Sequence, residues 1–97
     1  MENLHPITPQ RIAELHAIRD AIQGNDSKPQ CQRLLEAMRK TGHVTTFEAS
    51  RFLDVYHPPA RKRDLVKMGH VIKTVWRIVI TEAGTRHRVG LYVPERG

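Results

Sequence analysis

Cysteine is almost missing from this chain: Cys31 stands alone, so no internal disulfide can staple the fold. Its place among helix-forming residues fits a small apolar side chain rather than a nucleophile. Long apolar runs are missing too. Nothing approaches the ~18 consecutive apolar residues that a membrane-spanning helix needs. The N-terminus lacks a basic stretch followed by an apolar one, so no signal peptide is expected and the cytoplasm is the expected location. There is no glycine-rich phosphate loop, no paired carboxylates, and no Ser/His/Asp or Cys/His set with supporting context. No enzyme and no cofactor are therefore expected. The six histidines, at positions 5, 16, 43, 57, 70 and 87, show none of the close spacings that hold zinc, so no metal site is expected. Acidic residues are scarce in one half only. Residues 1–50 balance their charges, whereas residues 51–97 hold ten Lys/Arg against four Asp/Glu and carry the whole net charge of +6. Such an excess points to a polyanionic partner.

What is present organises itself around residues 45–69. Thr45-x-x-Glu48 reads as a capping box, in which each side chain takes a backbone N–H of the other's neighbourhood. It opens a short helix whose apolar side holds Phe47, Phe52 and Leu53. Asp54 to Pro58 breaks that helix, since a residue before proline is pushed out of the α region. Pro59 starts a second helix, expected over 59–69, with Leu65 and Met68 inward and Arg61, Lys62, Arg63 and Lys67 as its cations. Helix, sharp turn and basic helix is the pattern of a helix-turn-helix DNA reader.

Upstream, Thr8-Pro9 marks a helix start. Ile12, Leu15, Ile18 and Ile22 form one apolar stripe that must pack on the domain or on a second copy of itself. A homodimer through these four residues is one expectation. Ser27 caps the next helix, with Gln30 completing a second capping box and Cys31, Leu34, Leu35 and Met38 inward. Gly42 ends it, and Val44 serves as a hydrophobic staple or a short strand. Beyond Gly69 the period changes to two. Residues 71–81 read as a long strand anchored in the core by Trp76, residues 82–85 as a hairpin loop, and residues 86–93 as the returning strand. The expected fold is α+β: a winged helix-turn-helix, meaning a three-helix unit plus a C-terminal β-hairpin wing, with an extra N-terminal helix. Residues 1–26 form the helical extension and residues 27–97 the domain.

The motifs also resemble a known family. Gln32-Arg33-Leu34-Leu35, Gly42-His43-Val44-Thr45-Thr46-Phe47-Glu48-Ala49, Pro59-Ala60-Arg61, Asp64-Leu65 and Gly69-His70-Val71-Ile72 are similar to small helix-turn-helix domains common in phages, prophages and other mobile elements. The resemblance spans about residues 28–93. It implies a DNA-binding, regulatory role. One departure is Lys62, where the family usually carries an apolar residue. It fits either a retuned DNA face or a winged helix recruited to bind protein.

The candidate DNA contacts follow. Arg61, Lys62, Arg63 and Lys67 lie on the second motif helix, where Arg suits guanine edges and either cation suits phosphate. Tyr56, His57 and Ala60 lie at its N-terminus, the end that usually reaches bases. Thr46 and Arg51 belong to the first motif helix. Arg86, His87 and Arg88 flank the hairpin tip, and Lys73 and Arg77 share one strand face. Together they predict a sequence-specific regulator that binds double-stranded DNA, with helix 59–69 in the major groove and the 82–88 wing beside it. The competing expectation is a phage-type winged helix that inhibits a host nucleic-acid-handling protein. A weaker third is a non-specific accessory DNA binder.

Overall fold

The structure, a computed structural model, describes residues 7–80 and 83–95. Four helices precede a hairpin: α1 (Pro9–Ala21), α2 (Ser27–Thr41), α3 (Thr46–Phe52) and α4 (Pro58–Lys67), then β2 (Ile72–Ile80) and β3 (Arg86–Pro94). A two-residue strand, β1 (Val44–Thr45), pairs antiparallel with β3, so the sheet order is β1-β3-β2. The expected α+β winged architecture is the one observed. Val44 is therefore a strand residue, fully buried, and not a staple. The hairpin loop includes Gly84 at φ 80°; Glu82, at its start, lies outside the described residues.

Each helix is stopped or started by the chemistry of its ends. The Thr8 hydroxyl accepts from the Arg11 N–H, capping α1. The Gly42 N–H closes α2 on the Met38 carbonyl at 2.8 Å, in a left-handed conformation (φ 86°) that a glycine adopts without strain. The Thr45–Glu48 capping box at α3 forms as expected. The second expected box does not. Asp26, not Ser27, is the N-cap of α2, and no side chain caps it. Gln30 is buried instead: its amide donates to the Asn25 carbonyl, and its oxygen accepts from the Tyr56 N–H. Tertiary contacts thus claim a side chain that local pattern assigned to a cap.

The core joins all four helices. Leu15 and Ile18 of α1 are buried with Leu34, Ala37 and Met38 of α2, Ala49 and Phe52 of α3, Leu65 of α4, and Val44, Ile72 and Tyr92 of the sheet. Ile12 and Ile22 pack half-buried against the same cluster, so the whole apolar stripe of α1 is used within the chain. A dimer through that stripe would have to unpack this core. An ion pair adds to the docking of α1. Arg11 donates from Nε and Nη2 to the two Glu48 carboxylate oxygens, and from Nη2 to the His43 carbonyl at 2.9 Å.

Three residues expected on apolar sides lie outside it, among them Phe47 of α3, which is 41% exposed. Met68, expected inward, is the C-cap of α4 and is 65% exposed. Trp76, expected to anchor the core, is 56% exposed. On β2 it shares a face with Ile72, which is buried. Four residues farther along, the strand faces α4 across an open groove and is not packed on it.

Candidate nucleic-acid interface

The turn before α4 sets that helix's direction, and two buried α2 side chains hold it. Arg33 donates to the Asp54 carbonyl at 2.9 Å, and Gln30 accepts from the Tyr56 N–H at 2.8 Å. Asp54 (φ 54°) and His57 (φ 52°) both sit in the left-handed region. That conformation is costly for a residue other than glycine and persists only where the surroundings impose it. His57 is the N-cap of α4 but makes no side-chain cap bond.

The N-terminus of α4 offers little to a phosphate through its backbone. Pro58 and Pro59 have no N–H, and the Ala60 and Arg61 N–H groups both donate to the His57 carbonyl. Anion binding here must come from side chains. Pro59, Arg63, Val66 and Lys67 are exposed along α4, at the three- and four-residue spacings of one helix face. Arg63 and Lys67 thus point outward as expected. Tyr56 and His57 are exposed at the start of the helix, and Ala60 is half-buried.

The other two cations of α4 each have a partner within the chain. Arg61 turns toward α2, half-buried: its Nε lies 3.0 Å from the Asp64 carboxylate, and its carbonyl is within 3.8 Å of the Cys31 sulfur. That places it off the outward face. Burial and the Asp64 carboxylate push the Cys31 thiol pKa up, so Cys31 is inert as read. Lys62 turns the other way, toward the hairpin. Its ammonium donates to the Thr74 hydroxyl at 2.8 Å and lies 5.7 Å from the Tyr92 ring centroid. The position that departs from the family pattern therefore joins the helix to the wing.

A groove of about 720 Å³ opens between α4 and the hairpin, lined by Thr46, Pro59, Lys62, Arg63, Val66, Thr74, Trp76, Arg88, Val89, Gly90 and Tyr92. Strand pairing explains its floor. Trp76 lies opposite Gly90, where a Cβ would meet Thr46 at 3.4 Å and the indole at 3.7 Å. The Arg88 guanidinium lies 4.7 Å from the Trp76 ring centroid. Thr46, Lys62, Arg63 and Arg88 of the expected set thus come together. Trp76, Val66 and Thr74 are lining residues that sequence reasoning had not placed there. Strand period alone could not tell a groove tryptophan from a core one.

The remaining candidates fall elsewhere. Arg51 is exposed and lies over the rings of Phe47 and Phe52, at 5.8 and 5.9 Å. Arg86 shares the hairpin face of Trp76 and Arg88 by strand parity. Lys73, Arg77 and His87 have the opposite parity, so they share the other face and do not extend the groove.

The family model for the winged helix-turn-helix domain matches residues 29–95. The chain belongs to this family. Membership implies DNA binding and agrees with the observed elements, α2, α3 and α4 being the three-helix unit and β2–β3 the wing. Helix α1 precedes the matched segment. No curated protein and no solved structure gives a significant match. Among the described residues of this winged helix, no cluster of three or more His, Cys, Asp or Glu side chains is placed to hold a metal ion, and no helix is long and apolar enough to cross a membrane.

Proposed function

We propose that this winged helix is a sequence-specific double-stranded DNA-binding regulator without catalytic activity. The observation that carries the reading is the outward face of α4, with Arg63 and Lys67 exposed one turn apart and the cationic groove beside it. The helix enters the major groove, and Arg88 and Arg86 bring the wing to the flanking backbone. The resemblance to phage and prophage domains supports a role in regulating a phage or mobile element. Binding to a two-fold site as a homodimer fits such regulators, but α1 uses its apolar stripe within the chain, so a dimer needs another surface.

With backbone amides unavailable at the α4 N-terminus, phosphate contacts fall to Lys and Arg. The logarithm of the binding constant should then fall steeply with that of salt concentration, by about 0.9 per neutralised phosphate. Arg63 lies one turn nearer the base-reading end than Lys67. Arg63→Ala should cost about 1–3 kcal/mol at the specific site and relax the preference at one base pair. Lys67→Ala should weaken specific and random duplexes alike. Titration of both variants against a selected site and a scrambled one checks this. Arg63→Ala binding DNA like the parent while losing a protein partner would replace the reading with that of an interaction module.

A further inference from the structure

We infer that the groove between α4 and the hairpin takes an unpaired nucleotide of a DNA strand, its base stacked on the Trp76 indole and its phosphate held by Lys62 and Arg88. The inference rests on the nucleic-acid reading above and deepens it. A tryptophan 56% exposed stands in one groove with a valine 47% exposed, so the floor is apolar. The rim is cationic: Lys62, Arg63 and Arg88 line the groove, and among the described residues no acidic one does. An apolar floor with a cationic rim fits a ligand that is both planar and anionic.

Duplex DNA fits only the rim. Its bases hide their faces in the stack and present polar edges and phosphates to a protein. An unpaired base frees a π-face, and stacking on an aromatic side chain beside a basic groove is how single strands are held. The indole already accepts a planar cation, the Arg88 guanidinium at 4.7 Å. A base can replace this group or stack beyond it, since the arginine stem is flexible. The groove's volume of about 720 Å³ lies within the ~300–1,000 Å³ typical of small-ligand sites. Gly90, opposite Trp76, adds no side chain to the floor. The winged helix would therefore favour duplexes with a frayed end, a tail or a melted step over fully paired ones.

Trp76 is the only tryptophan in the chain, so its emission reports on this groove alone. The full chain is titrated with a blunt duplex, the same duplex carrying a short unpaired thymine tail, and a glutamate-rich amphipathic peptide. Labelled DNA reports affinity and indole emission reports occupancy. The tailed duplex should bind about tenfold tighter than the blunt one and quench the emission more strongly. Trp76→Ala should abolish that preference while leaving blunt-duplex affinity within about twofold, and Trp76→Phe should keep most of it. Equal affinity for the two duplexes with equal quenching, or Trp76→Ala weakening both alike, would overturn the inference and leave the DNA reading standing. Failure to bind either duplex would remove both. A blue shift with the peptide and no response to DNA would assign the groove to a protein helix.

Discussion

Arg33→Met should lower the unfolding free energy by about 3 kcal/mol or more. The thermal midpoint should fall by roughly 4–8 °C for each kcal/mol lost in a domain this small. Arg33 lies in α2 and is 2% exposed. Its guanidinium donates to three carbonyls: Ile22 at 2.7 Å, Gly24 at 2.9 Å and Asp54 at 2.9 Å. No ion pair to it is formed among the described residues, so backbone dipoles alone hold the buried charge. Methionine fills similar space but donates nothing. Each carbonyl that loses its partner without gaining water costs about 1–3 kcal/mol. Arg33→Lys keeps the charge but not the planar fork, and should fall between the two. Urea and thermal melts of all three proteins check the order. Arg33→Met melting within about 0.5 kcal/mol of the parent would show that the carbonyls find other donors.

Glu48→Ala should cost about 2–3 kcal/mol, because one carboxylate serves two structures. It closes the capping box with Thr45, and it receives Arg11 from α1. Arg11 keeps 19% of its side chain exposed, so the loss should be smaller than for a fully buried pair. Burial raises the Glu48 pKa, but hydrogen bonds from Arg11 and Thr45 outweigh this and hold it below the ordinary value. Its stabilisation is complete above the unfolded carboxylate's pKa of ~4.3 and is lost as pH falls through the lower folded value. His43 acts in a higher window. Burial and the Arg11 charge push its pKa down. The unfolded imidazole takes its proton near ~6.5, so stability falls as pH drops below that value. Glu48→Gln should flatten the acid limb below about pH 4 and deepen the higher one, since the Glu48 charge partly holds the His43 pKa up. An unchanged acid limb would mean that other carboxylates dominate it.

Much of the fold was legible because its signals are local. Thr45 and Glu48 are three apart, and their box forms whatever packs on it. The strand period over β2 and β3, and the apolar stripe of α1, read correctly for the same reason. Depth was not legible. Strand parity puts Trp76 on the covered face, but parity does not say where the cover ends. Ser27 and Gln30 matched a capping box by spacing, yet Gln30 is drawn into the α3–α4 turn by Tyr56, 26 residues away in sequence. Nothing in the local pattern carries that competition.

The candidate interface divided in the same way. Arg63 and Lys67 were readable from Leu65, since inward and outward positions alternate predictably on one helix. Arg61 and Lys62 were not, because each is claimed by a neighbour that only the fold supplies: Asp64 beside α2 for one, Thr74 on the wing for the other. The split of Lys73, Arg77 and His87 from Arg86 and Arg88 follows from strand parity. It needed the register of Trp76 opposite Gly90 to show which face the helices share.

The strand order gives Lys73 and Arg77 a different task. With β3 in the middle, β2 is the sheet's rim for nine residues, one side of its backbone unpaired within the described residues. It is built mostly of Ile, Val, Trp and Thr, the composition that invites another chain to add itself as the next strand. Two positive charges spaced four apart on one face break that invitation, since a second copy pairing there would bring like charges together. The cost to any incoming strand recurs at each copy, so the two cations favour a dispersed protein over a growing ribbon.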